Sequence, residues 1–294
     1  MRQTVVAVNA HPDDEAILTG GTLAALAATG HRVVLVTLTR GEAHGATTHR
    51  SGAGAAGEET AAAHERGALR MTELRASARA LGAADVIDLG YADSGMGPEE
   101  LAPVGQRERL HTVPVARAAA RLAAVLREQN ANVVLGYDAA GGYGHRDHLS
   151  VHHITRAALA DAGGPRLLEA TLPREAVLRV ARTGFRLRTL PGLRGRFAPG
   201  FTPEQWTASF TPSAQITHRV DVRPFVAVKR AALRAHVTQT RSADGEVSTM
   251  ATVLGLPPVL SRLLLGREYF VEPGRKGASP AGWDALRDLM AGPR

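Results

Sequence analysis

The chain has 294 residues, 44% of them hydrophobic, enough to bury one large core. It has no cysteine, which excludes disulfides and thiolate sites and leaves His and carboxylates to hold any metal. The net charge of +7 is carried almost wholly by Arg, with Lys229 and Lys276 the only lysines, and aromatics are 4%. Clustered basic residues with stacking rings are the mark of a nucleic-acid surface, so that class of partner is not expected. No segment approaches the roughly 20 apolar residues of a membrane span, and the first apolar run is shorter than the roughly 7–15 residues of a signal peptide's core. The expectation is a soluble cytoplasmic protein.

Thr4 to Val8 is a β-branched apolar run that reads as a buried parallel strand. Ala16 to Thr29 follows as an Ala/Leu-rich helix stopped by Gly30. Arg32 to Leu38 is a second strand, Gly41 to Gly57 a Gly/Ala/Thr/His-rich loop, and Glu58 to Leu81 a long helix closed by Gly82. Asp85 to Leu89 reads as the third strand, Val113 to Gln129 as a helix, and Asn132 to Gly136 as the fourth strand. A helix over His148 to Ala162 and a strand over Arg166 to Leu172 complete the alternation. Strands alternating with helices of this length predict an α/β fold built on a mostly parallel sheet sandwiched by helices. From Pro173 to Ser213 the pattern breaks into a basic, Pro/Gly-punctuated stretch. Periodicity returns with a strand over Gln215 to Val222 and a helix over Pro224 to His236, and the tail after Pro273 carries one short helical pattern, Trp283 to Met290. The expected organisation is a core over 1–172, a basic insertion or lid over 173–213, and a smaller C-terminal part over 214–294 that completes the same domain.

Two dense clusters follow strands. Asn9-Ala10-His11-Pro12-Asp13-Asp14-Glu15 sits at the C-terminal end of the first, and Gly141-Gly142-Tyr143-Gly144-His145-Arg146-Asp147-His148 lies just past the fourth. In an open α/β sheet that rim is where ligands bind. Several carboxylates in one place repel unless a cation or proton sits among them. His11 and Asp14 from the first cluster with His148 from the second would leave open positions on a catalytic ion. Asp13 is then free to act as a general base, His145 as a general acid, and Asp147 to fix an imidazole. A strand-end Asp is otherwise often a helix N-cap. His152 and His153 read as helix-face residues, and His31, His44, His49, His64 and His111 receive no role.

Ala10-His11-Pro12-Asp13-Asp14-Glu15 with His145-Arg146-Asp147-His148 resembles the signature of the LmbE-like, or PIG-L, metal-dependent N-acetyl-sugar deacetylases. Arg70 with Glu73-Leu74 and Leu81-Gly82 resembles the family's second-helix pattern, Asp93-Ser94-Gly95-Met96 resembles a loop of its mycothiol-pathway branch, and Lys229, His236, Gln239 and Glu268-Tyr269-Phe270 resemble its late-chain patterns. The resemblance implies a Rossmann-like LmbE fold and a zinc ion, or Fe(II) or another divalent metal, on His11, Asp14 and His148. It implies Asp13 as general base, and Tyr143 and His145 as stabilisers of the oxyanion, with His145 also protonating the leaving amine. Asp147 would orient His145, and Arg70 and Asp93 would hold sugar or cyclitol hydroxyls. The implied activity is removal of acetyl from an N-acetylglucosamine-type amino sugar or glycoside, a small-molecule substrate.

Two other functions stand beside it. The basic stretch around Arg179 to Arg196 suits an amidase acting on a larger sugar-amide conjugate or antibiotic-like metabolite. The lysine of the family's amidase branch is missing near Ala16-Ile17, which disfavours that branch itself. A binding module without catalysis would need no metal, against the intact His/Asp set. No Gly-x-Gly-x-x-Gly follows the first strand, so dinucleotide binding has little support. Glu15 receives no role.

Overall fold

The computed structural model describes residues 2–43, 53–96, 101, 104–160, 164–187, 205–240 and 249–275. The elements are β1 (Thr4–Asn9), α1 (Asp14–Leu18), α2 (Gly20–Ala28), β2 (Arg32–Thr39), α3 (Ala53–Leu81), β3 (Asp85–Tyr91), α4 (Val115–Glu128), β4 (Val133–Tyr137) and α5 (Arg146–Ala158). They continue with β5 (Arg166–Thr171), α6 (Arg174–Leu187), β6 (His218–Asp221), α7 (Val226–Ala235), α8 (Val237–Thr240), α9 (Thr249–Leu254), α10 (Pro258–Leu265) and β7 (Arg267–Val271). The seven-stranded sheet has the order β3-β2-β1-β4-β5-β7-β6. Its first five strands are parallel, and β7 runs antiparallel to both β5 and β6.

The apolar runs are continuous because the sheet is covered on both faces. Alternate residues of β1 feed opposite layers. Val5 and Ala7 join Leu23, Leu26, Leu74, Leu81 and Leu233 of α2, α3 and α7. Val6 and Val8 join Leu122, Leu126, Val151 and Ile154 of α4 and α5. β1 lies where the chain order reverses, with β2 on one side and β4 on the other. The crevice outside such a switch point is a ligand site in open α/β sheets.

The single helix expected over Ala16 to Thr29 is two helices, broken at Thr19. Gly20-Gly21 weaken the helix locally, and a contact far along the chain fixes the break. Glu268 of β7 accepts the N–H groups of Gly21 and Thr22 at 2.8 and 2.7 Å, capping α2 with a carboxylate. Lys229 neutralises that buried carboxylate at 2.6 Å. Gly21 is required there, since a Cβ would meet Val222 at 2.5 Å.

Helix α6 occupies part of the stretch expected to break pattern after Pro173. The C-terminal part adds β6 and β7 to the same sheet, and β7 is an addition to the expected elements. The short helix expected over Trp283 to Met290 lies outside the described residues, as do positions 44–52 of the expected loop. No helix among the described residues is long and apolar enough to cross a membrane.

Candidate active site at the strand ends

Both clusters sit on the β1/β4 rim. His11 is buried and bridges three carboxylates. Its Nδ1 lies 3.5 Å from Asp14 Oδ2, and its Nε2 lies 3.4 Å from Asp93 Oδ1 and 3.3 Å from Asp147 Oδ2. Burial pulls the imidazole's pKa down, but Asp93, Asp14 and Asp147 outweigh it and hold the value well above the ordinary one. Asp14 accepts the backbone N–H of His11 at 2.9 Å and the Tyr137 hydroxyl at 2.5 Å. Burial pushes its carboxyl up, yet His148 and His11 hold it well below the usual range.

His148 donates Nδ1–H to the carbonyl of Gly141 at 3.2 Å, which fixes its lone pair on Nε2. That nitrogen is buried without a hydrogen-bond partner and lies 3.4 Å from Asp14 Oδ1. A lone pair facing a carboxylate oxygen is an arrangement that a cation between them satisfies. His11, His145 and His148 also offer ring nitrogens within 4.8 Å of one another, as do His11, Asp93 and Asp147 in ligand atoms. The buried donor set therefore fits a divalent ion.

His145 is the N-cap of α5 and accepts the Asp147 N–H on Nδ1 at 3.0 Å, which leaves Nε2 to carry the proton. Burial, then the neighbouring His11 and His148, lower its pKa to about 3. The Tyr143 ring stands edge-on to His148 with centroids 5.0 Å apart. Burial and Asp14 push its hydroxyl pKa up. The turn bearing these groups is tied down by Asp138. Its Oδ1 accepts Gly142 N at 2.9 Å, and its Oδ2 accepts the hydroxyls of Thr171 at 2.5 Å and Thr211 at 2.8 Å.

Asp13 stands at φ 123°, a backbone region that L side chains rarely adopt. Burial raises its carboxyl to about 6 against the opposing pull of Arg70. Arg70 Nη2 donates to Pro12 O at 2.6 Å and Asp13 Oδ2 at 3.2 Å, while Nη1 donates to Gly41 O.

Every predicted site residue thus gathers at this rim, with three changes of setting. The Asp147 group that orients His145 is its backbone N–H. Its carboxylate instead accepts Ser94 N at 2.8 Å and meets His11. Arg70, expected on substrate hydroxyls, is 5% exposed and committed to the Pro12-Asp13 turn. Asp93, also expected there, is 4% exposed, accepts Ala43 N at 3.1 Å and Gly95 N at 2.8 Å, and backs His11. Ala16, beside the cluster, lies in the core.

Sequence reasoning missed Tyr137, Asp138 and the pairing of Glu15 with His236. A tyrosine closing an otherwise aliphatic strand was the available signal for the first. Glu15 Oε1 accepts His236 Nε2–H at 2.7 Å across 221 residues, which no local pattern reveals.

The family model described as GlcNAc-PI de-N-acetylase, PIG-L, matches residues 6–159. The chain is similar to the 1D-myo-inositol 2-acetamido-2-deoxy-alpha-D-glucopyranoside deacetylase of Acidothermus cellulolyticus, 35% identical, covering 99% of this chain and 96% of that one. The protein of the same name from Nocardia farcinica is 35% identical, covering 97% and 95%. Among solved structures, the A40926 pseudoaglycone deacetylase shares the fold at TM-score 0.57 and 17% identity over 92% of this chain and 97% of that one. The N,N'-diacetylchitobiose deacetylase of Pyrococcus horikoshii does so at TM-score 0.50 and 21% identity over 82% and 72%.

Proposed function

Because the chain belongs to the PIG-L family, whose members are hydrolases of N-acetyl amide bonds, we propose that it removes acetyl from an N-acetylglucosamine-type glycoside. The α-glucosaminide of inositol named for its relatives is the leading substrate. The observation that carries the reading is the unpartnered Nε2 of His148 facing Asp14 beside the ionisable Asp13. His11 Nδ1, Asp14 and His148 Nε2 would hold the ion. Two imidazoles and one carboxylate with positions left open suit zinc, and Fe(II) is the next candidate. His11 Nε2–H against Asp147 and Asp93 supports this assignment, since a metal-bound imidazole commonly donates its other N–H to a carboxylate.

A divalent ion held by these residues would supply Lewis-acid polarisation of the acetyl carbonyl. The chain's own groups move the protons. Asp13 takes the proton of the water, and a carboxyl near 6 is basic enough to do so and acidic enough to release it again. His145 donates Nε2–H, and Tyr143 its hydroxyl, to the oxygen that gains charge. A value of about 3 leaves His145 neutral and without a second proton, which favours Asp13 as the donor to the leaving amine. Arg70 holds the base, and Asp93 and Asp147 hold the ligand His11.

The test is a panel of N-acetyl amino sugars, inositol glycosides and larger glycosides assayed for amine release, with metal measured on the same sample. Chelation should abolish release and metal return restore it, and Asp13→Asn should retain the ion with turnover reduced by about 10²–10⁴. Full activity in chelated protein, or no amine release from any substrate by the metal-loaded protein, refutes the reading.

A further inference from the structure

One fully buried ionisable cluster takes no part in that chemistry. Glu15 follows Asp14 in α1, and its Oε2 accepts the backbone N–H of Asp13 at 2.9 Å. Its Oε1 accepts the Ser77 hydroxyl at 2.5 Å and His236 Nε2–H at 2.7 Å. Of these three donors only His236 is ionisable, and it is 0% exposed at the C-cap of α7. A buried carboxylate keeps one orientation only while its donors hold it. The N–H it grips belongs to the residue at φ 123°, a backbone geometry that persists only when its surroundings over-determine it.

We propose that His236 is a positioning residue: through Glu15 it holds the Asp13 backbone in the conformation that presents the base to the site. The inference rests on Asp13 being the base. Docking of the C-terminal helices does not need this imidazole. Thr238 binds Glu73 of α3 separately, N–H and hydroxyl at 2.8 and 2.6 Å, and Ala232 and Leu233 lie in the core. Loss of His236 therefore strikes the Glu15 carboxylate first and the fold second.

The experiment compares His236→Gln, His236→Asn and His236→Ala for kcat, KM, bound metal per chain and melting temperature. A Gln amide N–H reaches the position of Nε2, whereas that of Asn falls a methylene short. The expected result is a kcat within about 3-fold of wild type for Gln and a loss of about 10–100-fold for Asn and Ala, with KM and metal content unchanged. Wild-type kcat in Asn or Ala overturns the proposal, as does a Gln variant impaired as far as Asn, or a kcat loss that tracks lost metal. Should the Ala variant fail to fold, the Gln and Asn pair decides alone. Asp13→Asn in the same assay separates the two readings. Wild-type turnover in that variant removes the base assignment, whereas its loss beside full activity in His236→Asn removes only the role of His236.

Discussion

Tyr137 is the sharpest place to test the site's architecture, because its hydroxyl, at the end of β4, holds two residues of the first cluster at once. It donates to Asp14 Oδ2 at 2.5 Å and accepts the N–H of Ala10 at 3.0 Å. Tyr137→Phe deletes that oxygen and little else. The ring remains stacked on His148, with centroids 4.3 Å apart and planes 22° from parallel, so no cavity opens. Ala10 is 0% exposed, so its buried N–H loses its acceptor at a cost of about 1–3 kcal/mol. Asp14 loses one donor, worth about 1.5–3 kcal/mol to a charged group, but keeps the backbone N–H of His11 at 2.9 Å. Discounting for that surviving bond, the metal-free protein should lose about 2–4 kcal/mol of unfolding free energy. Metal affinity should fall about 10–100-fold as the carboxylate loses its orientation. Urea unfolding of chelated protein reads the first quantity and competitive metal titration the second. An unchanged midpoint and slope together with unchanged metal affinity would refute a role for this hydroxyl in tying the first strand's end to Asp14.

Three further outcomes follow from named contacts. His145→Ala should lower kcat by about 10²–10³ with metal retained. Since His145 titrates at about 3, the shape of the pH–rate profile between about pH 5 and 8 should not change, and a limb that vanishes with the imidazole would contradict its neutral role. Gly41 stands at φ +66°, and a Cβ there would lie 2.1 Å from Arg70 Nη1. Gly41→Ala should therefore both strain the backbone and dislodge Arg70, costing about 2–4 kcal/mol with a drop in kcat, and full activity at wild-type stability would show that Arg70's grip on Asp13 is dispensable. Burial lowers the His236 pKa, but the Glu15 carboxylate overrides it and raises the value above the ordinary 6.5. The stabilisation this supplies is complete below about pH 6.5 and is lost as pH rises through the raised folded-state value. The melting advantage of wild type over His236→Gln should shrink over that rise, and a constant difference would mean that His236 does not titrate with a raised value.

What the sequence made legible is what short-range pattern can encode. The five parallel strands are aliphatic runs ended by turn residues, and both functional clusters are contiguous, so their position on one rim follows from the alternation of elements. The side chains that set the chemistry are joined across distances that no period spans: Tyr137 to Asp14 over 123 residues, His236 to Glu15 over 221, Glu268 to Thr22 over 246. The break at Thr19 shows the consequence. The Ala/Leu-rich pattern is interrupted by Thr19-Gly20-Gly21-Thr22, and the helix splits there as a carboxylate from the last strand caps the second half, a tertiary contact that fixes a local weakness as a break. The last strand itself, Arg267–Val271, is five residues in an antiparallel insertion between β5 and β6, where neither length nor alternation separates it from a loop. The same physics explains why Arg70 and Asp93 changed setting. Residue type announces that a guanidinium or carboxylate will seek partners, but whether those partners belong to substrate or to protein depends on burial. Here burial assigns Arg70 to the Pro12-Asp13 turn and Asp93 to the His11 imidazole, partners that only the folded chain brings within reach.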